Sequence, residues 1–167
     1  SDDVVNEAIK NNTTEALAEN LTRFAFCSVT CKLFKNSLIQ EKNIRFNEGI
    51  TQCEDALFVF DYLSAYHCSV RTKSECNYHY RRTSKARGIY RCFPMEESYL
   101  LMKLLSERLA AIRDIYQCPN TAYLQHEMLC SQIYNIYRTI KEKKYSTFKK
   151  GSEYIRLLRN EYVRNIL

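Results

Sequence analysis

A mainly α-helical fold with a small β component is what this sequence predicts, and three observations carry that prediction. Turn formers are scarce, with three Gly and two Pro in 167 residues, so tight hairpins should be few. From Pro94 onward apolar residues recur at helical spacing. Runs of β-branched and aromatic residues that read as strands occur only before residue 83. The expected organisation is a mixed part over residues 1–93 followed by a helical extension over residues 94–167, built as a helical hairpin and one further helix.

Each element has a local reason. Residues 2–20 are polar and weakly helical; Asn11 to Thr14 break the pattern, and Thr13 or Thr14 can cap a second short helix through Leu17 and Leu21. Residues 24–33 read as extended, and residues 36–43, NSLIQEKN, as one or two helical turns. Residues 44–50, IRFNEGI, read as extended or irregular. A helix then runs from about Glu54 to Ala65, apolar over most of its circumference, which requires burial on several sides. Residues 68–72 and 76–82 read as two strands split by a turn at Lys73 to Glu75.

In the extension, Leu101, Leu105, Leu109, Ile112 and Ile115 or Tyr116 repeat on one helical face. Pro119 ends that helix, and Asn120 or Thr121 opens the next, through Leu124, Met128, Ile133, Ile136, Tyr137 and Ile140. A third helix is expected from about Ser152, with Tyr154, Leu158, Tyr162 and Ile166 or Leu167 on one side. The strand-like pieces are too few for a sheet with its own core. They either form a ribbon against helices or complete a sheet whose other strands lie elsewhere.

Composition narrows the class. Hydrophobic residues make 46% and charged residues 26% of the chain, which is globular usage and argues against global disorder. No apolar run reaches the length of a membrane span, and no secretory pattern is present. The chain opens on Ser1 without Met, so a piece of a longer protein is expected. Eight Cys include one close pair, Cys27 and Cys31, with no second pair to complete a four-thiolate site. Free buried thiols are therefore expected, with one or two disulfides or a structural zinc as the alternatives. Thirteen Tyr and eight Phe either fill spaces between helices or line a binding surface.

The net charge of +6 falls in two bands, one from Arg71 to Arg91 and one from Lys141 to Lys150. Such fields attract phosphate groups of any origin. No nucleic-acid motif accompanies them, so nucleic acid is not the expected partner. Arg81, Arg82 and Arg87 are either a clamp for a diphosphate, whose oxygens match guanidinium forks, or an exposed solubilising band.

Glu54 and Asp55 stand at the start of the apolar helix. One reading is structural, since carboxylates near a helix start gain about 0.3–1 kcal/mol from unpaired N–H groups and the helix dipole. The other is chemical: a positioned carboxylate can act as general base toward an alcohol. Adjacent helical positions point about 100° apart, so the two acids cannot share one direction. Asp61 is expected to face solvent or meet Arg or Lys. Lys32, between apolar segments, calls for an acid partner such as Glu48, Glu54 or Asp55. His67 and His126 read as bystanders.

These pieces together carry a likeness. Lys32-Leu33-Phe34, Ile44-Arg45-Phe46-Asn47-Glu48-Gly49, Glu54-Asp55-Ala56-Leu57-Phe58, and Tyr78-His79-Tyr80-Arg81 with Ser84 occur in order. The set resembles the C-terminal, acceptor-side half of the catalytic domain of family 2 glycosyltransferases of the GT-A type. The likeness covers roughly residues 24–90. It implies the truncated second half of a GT-A α/β domain, with the helices after residue 93 as an extension of variable kind.

The resemblance implies Asp55 as the catalytic base of an inverting transfer and Glu54 as its supporting neighbour. It implies, more loosely, Arg81 and Arg82 near the leaving diphosphate. The donor would be a nucleotide sugar, commonly a UDP-sugar, with Mg²⁺ or Mn²⁺; no metal ligand is assigned within these residues. The acceptor would be a sugar, glycan or lipid-linked hydroxyl. The family's nucleotide-binding βα units and their Asp-x-Asp motif have no counterpart here, so the chain alone is expected to be inactive and to hold no cofactor. Further expectations are dimerisation through an exposed strand edge or the helical tail, and a cytoplasmic place, including the periphery of the membrane. The competing function is a helical protein-binding module without catalysis.

Overall fold

The structure, a computed structural model, describes residues 27–30, 32–65, 93–118 and 120–165. Six helices are described: α1 Asn36–Glu41, α2 Glu54–Ala65, α3 Met95–Tyr116, α4 Asn120–Glu142, α5 Thr147–Arg159 and α6 Glu161–Arg164. The chain is mainly helical, and there is no β-strand among the described residues. The strands expected at 68–72 and 76–82 lie outside them, as do the N-terminal helices before residue 22, Pro119, His67, and Arg81, Arg82 and Arg87.

Two compact units divide the chain. Unit 1 takes Ser1–Arg81 and Glu107–Leu124, and unit 2 takes Arg82–Ser106 and Gln125–Leu167. This division follows contacts, whereas the boundary expected between residues 93 and 94 follows chain order.

In unit 1, α1 ends in a Schellman arrangement. Asn43 takes a left-handed φ of 49°, its N–H donates to the Gln40 carbonyl, and the Ile44 N–H reaches back to Ile39 at 3.0 Å. Asn tolerates this backbone better than a branched residue, and the turn delivers Ile44 into burial. The segment 44–50 is irregular, as its composition predicts. The Asn47 side chain accepts from the Gly49 N–H at 3.0 Å and holds a local turn.

Cys53, also left-handed at φ 55°, turns the chain into α2. This helix buries Ala56, Leu57, Phe58, Val59, Phe60 and Leu63, the burial on several sides that its sequence demands. The C-terminal turns of α3 bury Leu109, Ile112 and Tyr116, and the Tyr116 hydroxyl donates to the Leu63 carbonyl at 3.1 Å. That bond satisfies the polar end of a buried ring.

Unit 2 is an aliphatic core. Met95 and Met102 of α3, Leu129, Ile136 and Ile140 of α4, Leu157 of α5 and Val163 of α6 form one buried cluster, with Tyr99, Ile133, Tyr145, Tyr154 and Tyr162 packed at its edge. Here the third helix differs from its sequence reading. It starts at Thr147 with Ser146 as N-cap, whose hydroxyl accepts from the Lys149 N–H. It stops at Asn160, whose extended backbone breaks the helix and whose side chain caps α6. Leu157 and, beyond the break, Val163 are the buried residues, and Leu158 is exposed.

Candidate functional site

Asp55 lies on α2 at the same face as Phe58 and Tyr62, three and seven residues on. That face fastens the segments that precede it. Phe34 meets Phe58 edge-on at 5.4 Å between centroids and Tyr62 at 5.0 Å; Phe46 stacks on Phe58 at 4.5 Å. The Lys35 N–H donates to the Tyr62 hydroxyl at 3.0 Å. The aromatic residues of three separate sequence pieces thus meet on one ring, Phe58. Each such pair contributes about 0.5–1.5 kcal/mol beyond its buried area.

The carboxylate of Asp55 is half-buried and held from one side. Its Oδ2 accepts from the Ser28 hydroxyl at 3.1 Å and from the Val29 N–H at 3.3 Å. Ser28 is itself fixed: its Oγ lies 2.9 Å from the Thr30 hydroxyl and accepts from the Thr30 N–H at 3.2 Å. Lys32 Nζ donates to the Ser28 carbonyl, so the ammonium expected to seek an acid meets the segment that carries the bonds to Asp55. Both hydrogen bonds of Asp55 among the described residues fall on Oδ2, leaving Oδ1 as the oxygen with acceptor capacity. Such an arrangement can orient a base, because donors on one oxygen fix the plane of the carboxylate without occupying the other. Glu54 stands half-buried beside it in the first turn of α2.

The opposite face of α2 carries a different feature. A cleft of about 570 Å³ is lined by Asn43, Asn47, Leu57, Asp61, Ser64 and Arg108, among others. Asp61 does meet an arginine: Arg108 Nε donates to its Oδ1 at 2.6 Å and Arg108 Nη2 to its Oδ2 at 3.4 Å. Asp55 is not among the lining residues of this cleft. The sequence pair Glu54 and Asp55 is therefore separated from the cleft-bearing face, while Asp61, expected from sequence to face solvent or meet Arg or Lys, lines it.

Ser28 is the residue that sequence reasoning missed. It lies 27 positions from Asp55 in the chain, and no periodicity links a hydroxyl to a carboxylate across that gap. The nearby thiol of Cys27 is buried, and burial foremost, then Cys53, pushes its pKa up to about 12 against the opposing pull of Lys32. It is a neutral thiol at pH 7 and no nucleophile. His126 sits on α4 with its Nε2 3.6 Å from Cys130 Sγ. Among the described residues Cys27, Cys53, Cys118 and Cys130 are free, and no three His, Cys, Asp or Glu side chains converge as a metal site would require. No helix among them is long and apolar enough to cross a membrane.

Comparison of the chain with family models, with curated proteins and with solved structures found no match.

Proposed function

We propose that these residues are the acceptor-side part of an inverting, nucleotide-sugar-dependent glycosyltransferase, with Asp55 as its base. The observation that carries the reading is the joining of the motif pieces: Phe34, Phe46 and Phe58 meet in space, directly beside a carboxylate held by Ser28 and Val29.

In this reading Asp55 Oδ1 takes the proton of the acceptor hydroxyl as its oxygen forms a bond to the anomeric carbon. The bond from that carbon to the nucleoside diphosphate breaks on the opposite side, which inverts the centre. Glu54 supports the acceptor, and Arg81, Arg82 and Arg87 meet the negative charge of the leaving diphosphate. The donor is a UDP-sugar and the acceptor a sugar, glycan or lipid-linked hydroxyl. Mg²⁺ or Mn²⁺ does not fit the described residues, which supply no converging ligand set, and no step is assigned to it. The resemblance assigns the rest of the donor site to βα units that these residues do not include.

The test is transfer from a panel of UDP-sugars with Mn²⁺, followed by UDP release, in the full-length protein that carries this chain. Asp55→Asn should lower kcat by about 10²–10⁴, the range for a lost general base, with thermal unfolding little changed. Ser28→Ala should lower it less, through loosened orientation of Asp55. Wild-type turnover in Asp55→Asn, or no transfer from any nucleotide sugar by the wild type, defeats the assignment.

A further inference from the structure

Helix α5 buries Leu157 toward the core of unit 2 and turns a second apolar face outward. With about 100° between residues, Leu158, Gly151, Ile155 and Phe148 fall in one sector of about 80° on the far side of the helix from Leu157. Phe148 is 89% exposed, Leu158 58% and Ile155 51%. A helix that needed one buried face would carry polar residues here.

One edge of this sector is cationic, at Arg159, while Thr147 and Tyr154 stand at the other, and further cations lie on the chain just before and after the helix. Between Lys141 and Arg164 the sequence holds eight basic residues against three acids. Lys143, Lys144, Lys149, Arg159 and Arg164 are exposed, with Lys143 and Lys149 lying over the Tyr145 ring at 5.5 and 4.7 Å from its centroid. Arg159 borders the stripe with Ser152, and beside them runs a concavity of about 540 Å³ lined by Ser152, Ile155, Arg156, Arg159 and Asn160. Hydroxyl, guanidinium and amide donors thus stand next to an exposed aliphatic side chain. Arg156 itself is committed to Glu96, at 2.6 and 2.7 Å.

From this arrangement we infer that α5 is a docking face for an anionic lipid surface. An apolar stripe flanked by Lys and Arg is the pattern of a helix lying in a membrane interface, its apolar side chains below the headgroups and its cations among the phosphates. Charge selects this occupant over a second copy of the chain, whose own α5 would present the same cations. Ile155 and Leu158 select it over nucleic acid, since aliphatic side chains offer no ring for base stacking. The inference stands independently of the catalytic reading, and its test needs no turnover.

The chain contains no Trp, so a single introduced Trp reports its own surroundings. Phe148→Trp should shift to the blue, and be quenched by brominated lipid, on phosphatidylcholine vesicles containing phosphatidylglycerol. Tyr123→Trp, at an exposed position of unit 1, should do neither. Co-sedimentation should fall about tenfold or more for Phe148→Ser/Ile155→Ser/Leu158→Ser. It should fall about fivefold for each of Lys144→Gln and Arg159→Gln, and again with added salt. All these positions are exposed, and circular dichroism verifies that the variants remain helical. The inference is overturned if the wild type ignores anionic vesicles, sediments equally with phosphatidylcholine alone, or binds no more tightly than the triple Ser variant. It is equally overturned if light scattering finds a dimer that the triple variant dissolves while vesicles bind neither protein.

Discussion

Unit 1 and unit 2 are held together in different ways. In unit 1, irregular segments and one short helix are fastened to α2 by particular contacts: rings on Phe58, the Tyr62 hydroxyl under Lys35, and Ser28 and Val29 on Asp55. In unit 2, helices bury a continuous aliphatic cluster, and few named contacts matter individually. Chain that forms little regular structure must satisfy its backbone and its rings through specific partners, and such specificity is what a functional site requires. A helix core asks only for volume and spacing.

The comparison can be broken first at its centre. Phe58→Ala should destabilise unit 1 by about 3–5 kcal/mol, since it removes a buried ring and the support of two others. Ile136→Ala in unit 2 should cost about 2–4 kcal/mol. Phe58→Leu should recover little of the loss, because Phe34 and Phe46 pack on a ring face, whereas Ile136→Val should recover most. Urea unfolding monitored separately in each unit reads both. Equal rescue at the two sites would erase the distinction drawn here.

The next effect is a pH dependence at Cys27 of unit 1. The Cys27 thiol has its pKa raised from 9.0 to about 12 by burial. Because the folded value lies above the unfolded one, the contribution to stability is complete below pH 9 and is lost as pH rises toward 12. The slope of melting temperature between those pH values should be shallower in Cys27→Ala than in the wild type. Identical slopes would remove the buried neutral thiol from the account.

Smaller effects belong to unit 2. Glu96 and Arg156 form a two-bonded pair, and Arg156 lies 4.4 Å from the Tyr99 ring centroid. The hydrogen bond to Arg156 holds the Glu96 carboxyl below its usual range, with burial opposing, while burial foremost raises Tyr99. A depressed acid stabilises above its unfolded pKa and loses that contribution as pH falls. Glu96 is largely exposed, so solvent screening limits Glu96→Gln to a loss of about 1 kcal/mol or less near pH 7, vanishing in acid. A loss unchanged between pH 7 and pH 3 would contradict the pair.

Smallest, and opposite in sign, is Gly151→Ala. A Cβ there meets nothing within 4 Å, and Ala in a helix interior is worth about 0.5–1 kcal/mol over Gly. A lower melting temperature for this variant would mean that α5 is not the helix described.

What was legible in the sequence follows the same division. The bounds of α2 could be read because two acids precede an apolar run, and α3 and α4 because Leu101 to Ile140 keep helical spacing. The start of α5 escaped. The capping signal at Ser146 lies in a lysine-rich stretch that no apolar periodicity marks. Spacing puts Leu158 on one side with Tyr154 and Tyr162, whereas the structure buries its neighbour Leu157 and, past the break at Asn160, Val163. At the site, Asp55 was visible as a motif residue. Ser28 was not, since a hydroxyl 27 residues away becomes a partner only when Phe34 and Phe46 have closed the chain onto Phe58.

The most direct measurement of the central claim is acceptor glycosylation by the full-length protein at saturating UDP-sugar, paired with UDP affinity by calorimetry, for wild type and Asp55→Asn. The account predicts kcat lower by about two orders of magnitude or more with UDP affinity and folding unchanged, as expected of a lost proton acceptor. Undiminished kcat in Asp55→Asn would contradict it and reduce Glu54-Asp55 to the start of a helix.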